Sequence, residues 1–400
     1  MTEPAAPQSP VPRPPSARRG YAAQVTREVL ARWGARVGLV WIGLLVVVAV
    51  FAPFLASSHP LLLVQDGHLS SPVLAHLGAA DLSLLAGFCA AVIMAFRRRP
   101  AGRRLAVVLA ALLLGGGAGA LFLSPPGLVI HEQYREAEAR GDYDRVFRAP
   151  VPYSPKDYQR DRGDTDLQPP LADPAHRHWL GTDGNGADVL SRMIHASRIA
   201  LGIGFIATGI ALVIGVVVGG LMGYFSGVVD MIGMRIVEIF EAIPTLFLLL
   251  TFVAFFGRSL YMMMVIIGLT SWSGYARYVR AEFLKLRQQD YVQAAVACGL
   301  PLRSILFRHM LPNGVAPILV AASFGVASAI LAEATLSFLG LGLVDDPSWG
   351  QMLNQAVQAS TFNWWMALFP GGAIFLTVFA YNLVGESLRD ALDPHLRKKA

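Results

Sequence analysis

Apolar residues in this chain gather in long runs separated by charged stretches, and none of the runs shows the alternation of a barrel strand. A hydrocarbon core about 30 Å thick takes about 20 apolar residues of helix, because only helices or closed barrels satisfy every backbone group without water. The runs predict spans at Val37 to Phe54, Leu82 to Phe96, Leu105 to Leu123, Ala200 to Tyr224, Ala242 to Phe256, Leu260 to Trp272, Gly314 to Leu331 and Trp364 to Leu383. That makes eight spans if the hairpin at 82–123 inserts fully. The run from Leu82 is short, so a re-entrant hairpin is the other reading.

Composition agrees: of 400 residues 54% are hydrophobic and 15% charged, the balance of a polytopic membrane protein. A net charge of +6 would suit nucleic acid, but the arginines sit at the ends of apolar runs, where membrane topology explains them and no nucleic-acid partner is needed. Arg27, Arg32 and Arg36 precede the first span and the loop from Ala56 to Ala80 has no Lys or Arg, which places the N-terminus in the cytoplasm. Arg97, Arg98, Arg99, Arg103 and Arg104 then form an inner turn. Residues 273–313 and the C-terminal tail are also basic, whereas 334–363 carry no Lys or Arg and suit an outer loop. Arg258, in a short outer turn, is an exception that snorkelling accommodates.

The expected organisation is a disordered cytoplasmic tail over 1–33, a first transmembrane helix over 34–56 and an extra hairpin over 82–123. An external segment follows over 124–198, then a five-helix permease core over 199–386 with an inner loop at 273–313, and a cytoplasmic tail over 387–400. Thr182 to Ile199 reads as an amphipathic helix lying on the outer interface, with Val189, Leu190, Met193 and Ile194 as its apolar stripe. Gly215, Gly219, Gly220 and Gly223 place small residues on one helix face, as a packing seam does.

Candidate chemistry is sparse. Cys89 and Cys298 have no second ligand at metal spacing and His195 has none either, so no disulfide framework, metal site or metal cofactor is expected. Nucleotide hydrolysis needs a phosphate-cradling Gly-rich loop ending in Gly-Lys, yet none of Lys156, Lys285, Lys398 and Lys399 follows a Gly. No nucleophile elbow or zinc-protease helix is present, so no catalytic residue is assigned and ATP would have to be bound by another polypeptide. Glu333, ending an apolar run, either holds the outer loop or acts in gating and substrate passage. Asp230, Arg235, Glu238 and Glu241 near the inner mouth are read as pairing with one another, with Asp230 and Glu241 as possible contributors to a substrate path.

The most informative stretch runs from Tyr291 to Asn313 on the basic side. Ala294, Ala295 and Gly299 permit close backbone approach, Pro301 reads as a helix stop, and a second short helix reaches Leu311. This stretch resembles the loop of inner-membrane permeases of binding-protein-dependent ABC importers, in the dipeptide, oligopeptide and nickel group. Their signature is Glu-Ala-Ala, three residues, Gly, nine residues, Ile, any residue, Leu-Pro. Ala294, Ala295, Gly299, Leu311 and Pro312 fit; Gln293 replaces the Glu and His309 the Ile, the latter usual in the peptide group, whose loop ends like Arg308 to Asn313 here. His178 to Asp183 with Asp188 to Arg192, Trp272 to Arg280, Ala332 to Gly342, Pro347 to Leu353 and Leu388 to Pro394 resemble the same group, so the likeness covers about 178–397.

The resemblance implies an all-α polytopic membrane protein with the type I importer permease fold, to which the hairpin and external segment are additions. It implies that 291–313 is a coupling loop seated on an ATPase subunit. Two ATPase subunits, a sister permease forming a heterodimer, a solute-binding protein and the bacterial inner membrane would be the partners. Peptides are the implied cargo; the alternatives are nickel or another small solute carried by the same machine, and a secondary transporter working without ATP.

Overall fold

The computed structural model describes residues 21–97, 99–126, 130–158, 167–172, 178–343, 346–359 and 361–392. The chain begins with α1 (Tyr21–Ala31), α2 (Trp33–Val50) and α3 (Ala52–Leu55), then β1 (Leu62–Gln65), β2 (His68–Ser70) and α4 (Pro72–Ala75). The hairpin α5 (Ala79–Phe96) and α6 (Ala101–Phe122) leads to α7 (Gln133–Arg140) and β3 (Arg145–Phe147). The remainder is helical: α8 (Val189–Phe225), α9 (Gly227–Ala242), α10 (Thr245–Phe256), α11 (Leu260–Arg287), α12 (Asp290–Ala297), α13 (Leu302–Ser304), α14 (Leu311–Leu336), α15 (Trp349–Gln358) and α16 (Trp364–Leu392). Wider π turns at Ile305–Met310 and Ser337–Leu341 flank α14.

Among the described residues six helical stretches are long and apolar enough to cross a membrane: α2, α5, α6, α8, the run Leu302–Leu341 that contains α14, and α16; α11, which holds the span expected at Leu260 to Trp272, is not one of them. Both arms of the hairpin are among them. Small residues bring those arms together, since a Cβ added at Gly119 would lie 2.7 Å from Ala79 Cα and one at Gly115 would lie 2.9 Å from Leu82 O. A seventh candidate is the pair α9 and α10, bent by 82°. The bend falls at Ile243 and Pro244, where the proline ring removes a backbone donor and the residue before it is driven to extended geometry. The run from Ala242 to Phe256, expected as a span of its own, is therefore the second arm of a bent helix pair; its 12-residue helix reaches only about 18 Å.

The first correction concerns the N-terminus. Residues 21–31 of the expected disordered tail form α1, whose buried Val25 and Val29 pack on Leu388, Ala391 and Leu392 of α16. Arg32 pairs with Asp390 at the same junction. Residues 1–20 of that tail, and 393–400 of the C-terminal one, lie outside the described residues.

A second correction concerns the helix expected along the outer interface. It is the beginning of α8, a continuous helix of 37 residues in which Ala200 lies well inside. Asp188 caps it by accepting from Ser191 N at 2.7 Å. Its polar residues meet protein rather than headgroups: Arg192, 2% exposed, pairs with Asp183 and donates to Gln355 Oε1 at 2.8 Å, and the His195 ring is 3.0 Å from Ala56 O. Farther along, α8 packs on α11 through the expected glycine seam, so close that a Cβ at Gly219 would lie 2.3 Å from Ala276 O.

A small sheet joins the helices, with order β2-β1-β3 and antiparallel pairing, Val64 facing Leu69 on one side and Leu63 facing Val146 on the other. It knits the loop after α3 to the segment after α6. Side chains lock the same junction: the Ser58 amide donates to Ser154 Oγ at 2.9 Å, its hydroxyl donates to Asp157 at 2.5 Å, and Arg135 binds Asp157 through both terminal nitrogens at 2.6 and 2.9 Å. This small domain sits on the first turns of α8 through Ala56, Val151, Tyr153, Leu190 and Ile194.

Candidate functional site

Between the long helices α11 and α14 the chain folds into a compact element at one end of the bundle. Helix α12 ends in a paired turn in which Leu300 N donates to Ala295 O at 3.2 Å and Gly299 N donates to Val296 O at 2.9 Å. Gly299 has φ of +70° with open space around it, so the demand for glycine is conformational rather than steric. Pro301 then starts α13, and Pro312 opens α14, where its missing donor costs nothing.

The element is amphipathic. Val292, Ala295, Ile305, Leu306 and Met310 are buried against Val279, Phe283 and Leu286 of α11 and Ile318 of α14. Gln293, Ala294, Val296, Leu300, Leu302 and Phe307 are exposed, the last two lining a groove with Val216, Val217 and Gly220 of α8. Of the residues expected in the coupling loop, Gln293, Ala294, Gly299, Arg308 and Pro312 are exposed, His309 and Leu311 are half-buried, and Ala295 is part of the anchor. Asn313 Nδ2 donates to His309 O at 2.6 Å, holding the last turn. The exposed apolar residues Val296, Leu300, Leu302 and Phe307 lie outside the loop signature; their alternation with buried neighbours on short helices is the only mark they leave in the sequence.

The charged candidates lie elsewhere and act structurally. Asp230 takes a two-pronged bond from Arg280 of α11, one prong at 2.6 Å, and Glu241 pairs with Arg277. Of the four charges expected to pair among themselves, only Arg235 and Glu238 do so. Glu333 is 2% exposed and accepts from Ser337 Oγ at 2.6 Å. It also bonds the hydroxyl of Ser348, which accepts from Gln351 N at the start of α15. Glu333 thus ties the loop before α15 to α14, the first of the two readings given for it.

A cavity of about 350 Å³ opens between α8, α11 and α14, and none of the charged candidates lines it. Its polar lining is neutral: Thr208, Ser271, Tyr275, Tyr278 and Ser328. A second cavity of about 390 Å³ continues along α14 past Pro317 toward Arg389, and the two share Tyr278, Ala321 and Phe324. Tyr275 crosses from α11 to α14, where its hydroxyl fills the place a Cβ on Gly325 would take. Neutral hydroxyls and small residues carry no signal that separates a path from ordinary packing, which is why the sequence did not mark them.

A multi-span helical core with a neutral cavity between its spans and an anchored, exposed amphipathic element at one end defines a membrane transport subunit without a built reaction centre among the described residues. The family described as Binding-protein-dependent transport system inner membrane component matches residues 215–398, and the chain belongs to it. It is 39% identical over 228 residues to the dipeptide transport system permease DppC of Alkalihalophilus pseudofirmus, covering 57% of this chain and 75% of that one. It is 38% identical to the oligopeptide permease OppC of Haemophilus influenzae over 54% of this chain and 70% of that one. It is 41% identical to the glutathione permease GsiD of Pectobacterium atrosepticum over 56% and 75%. The chain is therefore a multi-pass inner-membrane transport subunit with the type I importer permease fold.

Proposed function

We propose that this chain is the permease subunit of an ATP-driven peptide importer and takes its energy from separate ATPase subunits. Peptide cargo is supported by the names of the dipeptide, oligopeptide and glutathione relatives. In this reading both termini are cytoplasmic, a sister permease completes a heterodimer, two ATPase subunits bind on the inner side and a solute-binding protein delivers cargo on the outer side. The cavity walls come from the helices that flank the coupling element, so tilting that element alternates access. The ligand and the nucleotide must each prefer one state for such a cycle to run.

The observation that carries the reading is the exposed apolar ridge of Val296 and Leu300 on an element whose buried face is packed against α11 and α14. The test is Val296→Glu, which adds a charge to the ridge without touching the buried face. The altered chain should reach the membrane in normal amount, lose its co-purifying ATPase in mild detergent, and lose uptake of labelled di- and oligopeptides. An ATPase that stays bound with uptake intact overturns the docking assignment; intact chain with ATPase bound and no peptide uptake overturns the cargo.

A further inference from the structure

The hairpin α5–α6 is fastened to the rest of the chain near one end and basic at the other. Asp81, in its first turn, binds Arg198 of α8 at 2.5 Å, and Phe88 meets Phe51 edge-on at 5.5 Å between ring centres. The far end is the turn from Arg97 to Arg104. There Arg97, Arg99 and Arg103 are exposed, Arg104 Nη2 donates to Arg97 O at 2.9 Å, and Arg104 Nε is buried with no partner. Among the described residues no carboxylate forms an ion pair with any of these four. None is near in sequence either, because no Asp or Glu occurs between Asp81 and Glu132.

The flanks of the hairpin are apolar and open: Phe96, Leu113, Leu114, Leu121 and Phe122 are each at least 73% exposed. An apolar stem of this kind belongs in lipid, which places its uncompensated arginines at the headgroups of one leaflet. Guanidinium forks match phosphate oxygens in pairs, and a cluster at a leaflet surface gains further from anionic charge.

We propose that Arg97, Arg99, Arg103 and Arg104 form a binding site for the phosphates of anionic phospholipid headgroups. This rests on the hairpin spanning the membrane with its basic turn at the inner leaflet. A purely topological role for the arginines requires their charge during insertion and leaves no lipid bound afterwards, so the two are separable.

The experiment uses the full chain in its membrane complex, reconstituted in nanodiscs of phosphatidylcholine with and without cardiolipin, then delipidated and weighed by native mass spectrometry. The unaltered protein should retain cardiolipin. The combined change of Arg97, Arg99, Arg103 and Arg104 to Gln should lower retention several-fold, and the same four changed to Lys, which keeps the orienting charge, should lower it less. Arg27→Gln with Arg36→Gln should leave retention unchanged. Equal retention by the Gln variant, or none by the unaltered protein, overturns the proposal. Should the Gln variant fail to insert, a photoactivatable cardiolipin on the unaltered protein decides: adducts must map to 97–104, and adducts elsewhere only, or displaced by inorganic phosphate, overturn it. Accessibility of the turn from the inner side, read separately, reports a wrong orientation without reference to lipid.

Discussion

Gly325 is where packing and transport meet most closely. A methyl group there would sit 1.5 Å from Tyr275 Oη and 2.8 Å from Cζ, with Thr208 Cγ2 behind it at 3.4 Å. For Gly325→Ala the phenol must therefore retreat by about 2 Å to regain ordinary contact distance. It can do so by pushing α11 from α14, which costs about 1–3 kcal/mol as overpacking does, or by swinging into the cavity it lines, which narrows the path. Either way uptake by reconstituted complex should fall, and the partition between stability and uptake tells which occurred. Tyr275→Phe removes the nearest atom, so the double variant should recover about 1 kcal/mol of the loss, a coupling in the range of residues in contact. The assay is a double-mutant cycle on the denaturation midpoint in mild detergent, run beside uptake in proteoliposomes. Strict additivity of the two changes, with uptake unaffected by Gly325→Ala, would refute the placement of Tyr275 across the cavity.

Two further perturbations bear on the hairpin anchor and the small domain. Arg198 donates to Asp81 and to Ala49 O, both at 2.5 Å, so Arg198→Ala strands a mostly buried carboxylate and should cost about 2–3 kcal/mol; adding Asp81→Asn should return part of that, read as a denaturation midpoint. His59 is stacked on His76 at 3.8 Å with His131 and Asp157 nearby, and burial first, then the charges of His76 and His131, push its pKa down to about 4. The folded small domain thus binds fewer protons than the unfolded chain between about pH 6.5 and pH 4, so its stability should fall as pH drops through that window, by about 2 kcal/mol after solvent screening. Burial lowers His131 in the same direction. Hydrogen-exchange protection factors over 56–76 and 130–157, corrected for the intrinsic pH dependence of exchange, should fall from pH 7 to pH 5, and His59→Gln should reduce the fall; protection factors unchanged with pH in the unaltered chain would contradict it.

The spans were legible because each is a local property: twenty or so apolar residues need no knowledge of their neighbours to be recognised. The start of α8 was not, because Arg192 and His195 look like the wet face of an interfacial helix until Asp183, Gln355 and Ala56 O are seen around them. Gln355 lies more than a hundred residues away, and no local pattern reports it. The same asymmetry misled the reading of the site. Asp230 and Glu241 stood out as charges among apolar residues, yet arginines of α11 consume them, whereas the cavity is walled by Thr208, Ser271 and Tyr278, which no composition would single out.

The small residues of the stretch expected to be a coupling loop have a different origin, and that origin bears on how the proposed machine would work. Ala295 is small because it is buried against α11, and Gly299 is glycine because the turn after α12 needs a positive φ, so these two signature positions record how the element is built rather than what it touches. Val296 and Leu300, which we propose face the ATPase, need only be apolar and exposed, a requirement many side chains meet. The anchor is what a lever requires: a force on the ridge reaches Phe283 and Ile318 through contacts already closed, without first being spent on bending the loop. From Ile318 the same helix continues to Gly325 and Ser328 in the cavity wall, and from Phe283 α11 continues back to Tyr275 and Ser271 opposite them. In the proposed cycle a displacement at this element would arrive at both walls of the cavity through two continuous helices, and Tyr275 meets Gly325 between those walls.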